Sequence, residues 1–279
     1  MKRILVTGAN GYIGRHVVTS LLDKGCEVIA CDIRTDEVDP RAICRQFNLF
    51  DLPQGNIYEL LGSPDVCIHM AWRNGFVHSS HTHMGDVSAH YNFMTKMIDG
   101  GLKHLAVMGT MHEVGYWEGA IDENTPCNPI SMYGIAKDAL RRAMMLYVKQ
   151  NNCILQWLRC YYILGDDKKN NSVFCKILQA AESGLKTFPF TSGRNKYDFI
   201  KVDDLANLIS IIINQKEIMG IINCCSGKPV SLGEQVELFI KDHNLNITLD
   251  YGAFPDRAYD SPIIYGDNTK ILNLQHQKD

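Results

Sequence analysis

Short runs that are apolar at nearly every position recur along the first two-thirds of the chain, separated by longer stretches in which apolar residues return every third or fourth position. The first kind reads as strand and the second as amphipathic helix. The pattern predicts strands at Arg3–Thr7, Glu27–Asp32, Val66–Ala71, His104–Gly109 and Cys153–Cys160, with helices at Ile13–Lys24, Val87–Gly100 and Tyr133–Asn151. Strands such as Ile4-Leu5-Val6 and Val28-Ile29-Ala30 show no polar alternation, so both faces of their sheet must be covered. The fold class this implies is α/β, a doubly wound parallel sheet with helices on either side.

After Gly165 the rhythm loosens. A polar stretch at Asp166–Asn171 and a Pro-, Gly- and aromatic-bearing segment after Phe188 precede a predicted helix at Val202–Asn214. The expected organisation is a main unit over residues 1–165 and a smaller C-terminal, substrate-covering annex over 166–279, from which 196–225 return to the main core.

Composition narrows the partners. With 279 residues, 46% hydrophobic and 21% charged, the chain has ordinary globular make-up and enough length for a large core. A net charge of −3 with Lys and Arg dispersed leaves no basic footprint for nucleic acid. No apolar run approaches the ~20 residues of a membrane-spanning helix. The opening residues pass straight into a strand without a basic leader or cleavage signal, which makes a cytoplasmic location the expectation. The 10 cysteines form no Cys-x-x-Cys and read as reduced, mostly buried thiols. His78, His81 and His83 lack the spacing of a metal site and read as a polar loop, so no metal is expected.

The chemistry begins where the first strand ends. Thr7-Gly8-Ala9-Asn10-Gly11-Tyr12-Ile13-Gly14 spaces three glycines Gly-x-x-Gly-x-x-Gly at a strand-to-helix turn. Gly8 permits the tight turn, Gly11 lets backbone approach a pyrophosphate, and Gly14 lets helix pack on sheet, with the helix N-terminus facing the phosphates. Asp32 closes the second strand where a carboxylate can accept from a ribose hydroxyl. The sheet is therefore expected to be of the Rossmann type, and the cofactor NAD(P)H. Asp32 favours NAD, whereas Arg34 could pair with the 2′-phosphate of NADP. Asn10, Tyr12, Ile13, Asn48 and Leu49 complete the expected cofactor contacts on this side.

Tyr133 and Lys137, four residues apart at the start of a predicted helix, share one helical face. An ammonium beside a phenol is expected to lower its pKa from ~10, so that the tyrosine exchanges a proton with a substrate hydroxyl.

Together with further landmarks, these motifs resemble the extended short-chain dehydrogenase/reductase superfamily of nucleotide-sugar epimerases, dehydratases and reductases, over nearly the whole chain. The landmarks are Asp65-Val66-Cys67-Ile68-His69-Met70-Ala71-Trp72, Thr110, Asn128-Pro129 before Tyr133-x-x-x-Lys137, Leu158-Arg159 before Tyr161-Tyr162-Ile163-Leu164-Gly165, Asp198-Phe199-Ile200, Asn223 with Ser226-Gly227-Lys228, and Arg257-x-x-Asp260. The resemblance implies catalytic roles for Thr110, Tyr133 and Lys137, with the Thr110 hydroxyl polarising the substrate carbonyl. It places Ala71 and Trp72, with Tyr133 and Lys137, along the nicotinamide half of the cofactor. It also implies a diphosphate clamp at Arg257 and a homodimer through the helix carrying Tyr133 and the preceding one, where Met144, Met145, Leu146 and Tyr147 offer apolar surface; His112, Tyr162 and Arg194 are the further expected substrate contacts.

Departures lie on the substrate side. Met108-Gly109 stands where many relatives carry serines, Glu113-Val114-Gly115 where they read Val-Tyr-Gly, Tyr197 where several carry Arg, and Tyr162 where Asn is frequent. Met111-His112 follows Thr110 in place of the Asp-Glu pair of dehydratases, which disfavours dehydration. The short chain and the Gly109–Glu113 loop are most similar to small reductases of nucleotide-linked 4-keto-6-deoxyhexoses, dTDP-sugars foremost, in deoxysugar and surface-polysaccharide synthesis. A 4-epimerase of the UDP-glucose type and a non-catalytic cofactor sensor are the alternatives.

Overall fold

The computed structural model describes residues 1–165, 172–256 and 260–276. In chain order its first half holds β1 (Arg3–Thr7), α1 (Tyr12–Asp23), β2 (Glu27–Asp32), β3 (Ile43–Gln46), α2 (Ile57–Leu60), β4 (Val66–His69), α3 (Thr82–Gly100), β5 (His104–Thr110), β6 (Gly119–Ile121), α4 (Met132–Gln150) and β7 (Ile154–Cys160). Then come β8 (Tyr162–Leu164), α5 (Val173–Glu182), β9 (Thr187–Pro189), β10 (Lys196–Lys201), α6 (Val202–Ile212) and β11 (Gly220–Cys224). The chain continues through β12 (Pro229–Ser231), α7 (Leu232–Asp242), β13 (Thr248–Asp250), β14 (Ile263–Gly266) and α8 (Thr269–His276).

Seven parallel strands form the main sheet in the order β11-β7-β5-β4-β1-β2-β3. Alternate side chains leave opposite faces. Ile4 and Val6 join Val17 and Leu21 of α1 and Leu205 and Ile209 of α6, whereas Leu5 joins Phe93 and Met97 of α3 and Leu140 and Met144 of α4. Both faces are thus dry, as the uninterrupted apolar runs require. The strand order reverses between β1 and β4, and a crevice opens beyond the carboxyl ends of strands at such a switch point.

A second sheet, β12-β10-β14-β6 with β8 paired to β10, builds the annex together with the pair β13-β9. Its core holds Tyr161, Phe174, Tyr197, Phe199 and Phe239. The expected return of 196–225 to the main core is corrected in part: β10 pairs with β8, β12 and β14 in the second sheet and reaches the main core only through Ile200, whereas α6 and β11 return. β6, from within the first 165 residues, crosses the other way by pairing with β14.

The longest change of boundary is in α3, which starts at Thr82 rather than Val87. Its first turn is polar in sequence, but His83 and Asp86 are buried there by specific partners. The expected polar loop is therefore overturned at His83.

The turn after β1 is tight enough to test. Gly8 has φ +69°, and a Cβ there would lie 2.6 Å from the Ala71 backbone nitrogen. Gly8→Ala should force the ends of β1 and β4 apart and lower unfolding free energy by about 3 kcal/mol in urea titration, a cost set by left-handed backbone strain plus overpacking. An unchanged midpoint would contradict the packing.

Candidate active site

At the switch point a cleft is lined by Gly8, Gly11, Asp32, Asn48, Leu49 and Trp72, with Ala71 beside them. Gly11 caps α1 without any side-chain cap, so the first-turn donors of the helix are directed at whatever anion the cleft receives. Asp32 is fixed at the mouth by accepting from the Asn10 N–H (2.9 Å) and the Ile33 N–H (2.7 Å). Its carboxylate suits a ribose diol and repels a 2′-phosphate. Arg34 is turned away, exposed and facing Asp36 at 3.5 Å, and does not line the cleft. Asn10, Tyr12 and Ile13 are also outside the lining: the Asn10 side chain accepts from the Glu37 N–H, the Tyr12 hydroxyl sits against Gly165, and Ile13 packs on the core. The glycine turn, the uncapped helix end and the carboxylate together fit a dinucleotide.

Beside this cleft stand Thr110, Tyr133 and Lys137. Thr110 ends β5, where its N–H donates to Glu113 Oε1 at 2.8 Å and its Oγ1 accepts from the His112 N–H. Ser131 caps α4 by accepting from the Gly134 N–H, and this places Tyr133 in the first turn. Lys137, one turn on, is 2% exposed. Its ammonium donates to the Met108 carbonyl at 2.7 Å and lies 3.9 Å from the centroid of the Trp72 ring.

Glu113 ties these elements together. It is fully buried, and among the described residues each group bonded or paired to it is a donor: the Thr110 N–H and Trp157 Nε1 (2.8 Å) on Oε1, Arg159 (3.5 Å) and Arg141 (3.7 Å) on Oε2. Burial pushes its carboxyl up, and Arg159, Thr110, Trp157 and Arg141 pull it back. Surrounded only by donors, it fits the ionised acceptor form.

The electrostatics correct one expectation. The Tyr133 phenol is raised above its ordinary value, chiefly by burial, with a hydrogen bond to Thr110 acting the other way and Glu113 adding to the rise. Lys137, whose ammonium is held by the Met108 carbonyl and the Trp72 face, does not reverse that rise. Desolvation therefore outweighs the charge effect, and Tyr133 is a protonated acid near neutrality. Lys137 itself is lowered to about 8 by burial, with Glu113 the main opposing influence.

Sequence reasoning missed a set of histidines. His83, Asp86, His90, Phe93 and Met97 follow a 3-4-3-4 spacing, the stripe of one helical face, with its first three members polar. His83 accepts from Trp72 Nε1 at 3.0 Å and pairs with the Val77 carbonyl, while Asp86 accepts two bonds from Arg73. His90 stacks on Trp72 with centroids 4.5 Å apart. His78 stacks on Tyr133 (5.2 Å), and half-buried His112 lies edge-on to both.

Of the other substrate candidates, Tyr162 packs against Tyr197 and Phe199 in the annex core, Arg194 is exposed, and Arg257 lies outside the described residues. The geometry does not bring Tyr162 and Arg194 to the phenol as it brings His112.

Residues 4–225 match the NAD dependent epimerase/dehydratase family. The chain belongs to that family. Among its curated members, this chain is 47% identical over 269 residues to a dTDP-6-deoxy-L-talose 4-dehydrogenase (NAD(+)) from Aggregatibacter actinomycetemcomitans, covering 94% of this chain and 98% of that one. It is 26% identical to a putative UDP-glucose 4-epimerase from Methanocaldococcus jannaschii, over 93% of this chain and 86% of the other. Among solved structures, UDP-glucose 4-epimerase from Thermotoga maritima with UDP-glucose superposes with a TM-score of 0.82 at 22% identity, covering 98% of this chain and 92% of that one. The family is NAD-dependent, in keeping with the cleft. No helix among the described residues is long and apolar enough to cross a membrane.

Lys137 sets a pH dependence. Its folded value of about 8 lies below the ordinary 10.5, so the folded chain releases this proton first as pH rises. If the ammonium is needed, kcat/KM should fall about tenfold per pH unit above about pH 8. His90 and His112, held down to about 3 by burial, should add no inflection near neutrality. A profile flat to about pH 10 would show that the Lys137 charge is not used.

Proposed function

We propose that this chain reduces a nucleotide-linked 4-keto-6-deoxyhexose, dTDP-linked by preference, with NADH. The sugar class rests on the 47% identity to a dTDP-6-deoxyhexose 4-dehydrogenase, whose reaction is the same interconversion written the other way. The observation that carries the reading is the grouping of Thr110, Tyr133 and Lys137 around Trp72 at the dinucleotide cleft, and burial, which raises the Tyr133 phenol, favours the acid that a keto oxygen gaining negative charge needs.

In this reaction the nicotinamide, when bound, supplies a hydride to the sugar carbonyl carbon. Tyr133 gives its hydroxyl proton to the carbonyl oxygen as the carbon–oxygen double bond becomes single, leaving a carbinol. Thr110 donates to the same oxygen and stabilises its developing charge. Lys137, a fixed positive charge beside Trp72, favours the phenolate left behind. His112 and His78, neutral and packed on the Tyr133 ring, flank the sugar and exclude water. Asp32 in the cleft and Arg34 outside it favour NADH over NADPH. Arg257 is proposed as the diphosphate clamp, and Tyr162 and Arg194 as outer substrate contacts.

The 4-epimerase reading draws on more distant relatives such as the 26% identical protein from Methanocaldococcus jannaschii. It differs in one measurable respect, since an epimerase returns the hydride and consumes no net cofactor. We also propose a homodimer through α3 and α4. Leu146 is 67% exposed there, with Met132 and Met84 on the same pair of helices, whereas Met144 faces the core.

The test is a stoichiometric assay with dTDP-4-keto-6-deoxyhexose and NADH. One NADH should be lost per sugar reduced, and Tyr133→Phe should lower kcat by about 10²–10⁴ with little change in NADH affinity. Sugar conversion without NADH loss would favour the epimerase, and full activity in the variant would remove Tyr133 as the acid.

A further inference from the structure

Behind the cleft, three buried side chains form a hydrogen-bonded chain whose last atom has no partner among the described residues. Thr7 Oγ1 lies 2.9 Å from His69 Nδ1, and His69 Nε2 lies 2.9 Å from His90 Nδ1. His90 Nε2 is buried and meets no hydrogen-bonding atom among the described residues. Thr7 and His90 both line the dinucleotide cleft.

The direction of the chain follows from a count of donors. Thr7 Oγ1 already accepts from the Met70 N–H (3.2 Å) and the Ala71 N–H (3.4 Å), which occupies both its lone pairs. Its own hydrogen is left for His69, so His69 Nδ1 is the acceptor. A neutral imidazole with an acceptor Nδ1 carries its hydrogen on Nε2, and His69 therefore donates to His90 Nδ1. The same rule then puts the hydrogen of His90 on Nε2. Burial keeps both rings neutral, which the rule requires. The ring of His90 cannot swing away, because it stacks on Trp72 and meets Phe50 edge-on at 5.7 Å.

A buried N–H without an acceptor costs free energy, and such a donor in a ligand cleft marks where an acceptor belongs. We infer that His90 Nε2–H is a preset donor to an oxygen of the ribose–phosphate chain of the dinucleotide, oriented from behind by Thr7 and His69. The inference rests on the dinucleotide reading of the cleft and adds to it a contact from α3, an element apart from the glycine turn, the Asp32 strand and the catalytic groups. His90 acts on binding, and His69 and Thr7 are positioning residues.

Histidine-selective ¹⁵N spectra of the ligand-free protein should show both His69 and His90 protonated at Nε2. ADP-ribose, which has the whole ribose–phosphate chain without nicotinamide, should shift the His90 Nε2–H resonance downfield. By calorimetry His90→Phe, which keeps a stacking ring but loses the donor, should bind ADP-ribose and NAD about tenfold more weakly, by the same factor for both. His90→Asn, which keeps an N–H donor, should lose less, and it serves if the phenylalanine variant fails to fold. A His90 protonated at Nδ1, an unchanged affinity in both variants, or a loss confined to NAD would overturn the inference. Wild-type protein that binds neither NAD nor ADP-ribose would instead remove the dinucleotide reading itself, and this contact with it.

Discussion

A carboxylate with no access to water, Glu113, is the constraint around which the carboxyl edge of the sheet is assembled. An unpaired charge at that depth would be prohibitive, so donors from three elements converge on it: Thr110 from the end of β5, Trp157 and Arg159 from β7, and Arg141 from α4. The same convergence sets the spacing of β5 and α4, which between them carry Thr110, Tyr133 and Lys137. Glu113 also acts at longer range, as the main influence opposing the loss of charge from buried Lys137.

Around that anchor the site divides into a charged base and an aromatic wall. The ammonium of Lys137 is fixed by one carbonyl and one indole face, while the Tyr133 phenol above it is enclosed by imidazole rings and kept protonated. Trp72 belongs to both parts, since it faces Lys137, stacks on His90 and donates to His83. This shared indole couples the dinucleotide cleft to the phenol, so cofactor and substrate sides are organised by one side chain at the end of β4.

Much of this was legible in the sequence because it rests on local rules. The apolar runs of β1, β2 and β4 specify a sheet covered on both faces, the glycine spacing specifies a turn that only glycine can make, and the Tyr133-x-x-x-Lys137 spacing puts phenol and ammonium on one helical face. What was not legible depends on tertiary partners. The Asp198-Phe199-Ile200 run was expected to return to the main core with the rest of 196–225, but its sequence does not say which sheet it joins. His83 and Asp86 look solvated until Trp72, the Val77 carbonyl and Arg73 are placed against them, and this hid the first turn of α3. The sign of the Tyr133 shift depended on whether burial or the nearby charge prevails, and Arg34 needed the position of Asp36 to be turned away from the cofactor. The 3-4-3-4 stripe from His83 to Met97 was a usable signal, obscured by the polarity of its first members.

The central claim is that this edge delivers a proton to a sugar oxygen while the adjacent carbon takes hydride from the nicotinamide. Its most direct test is label transfer, with NADH deuterated on each face of C4 in turn and the sugar product analysed by mass spectrometry and NMR. One deuterium at the new carbinol carbon, from one face only, is the predicted result. Product that forms with no deuterium on the sugar, while the label stays on the nicotinamide, would contradict it.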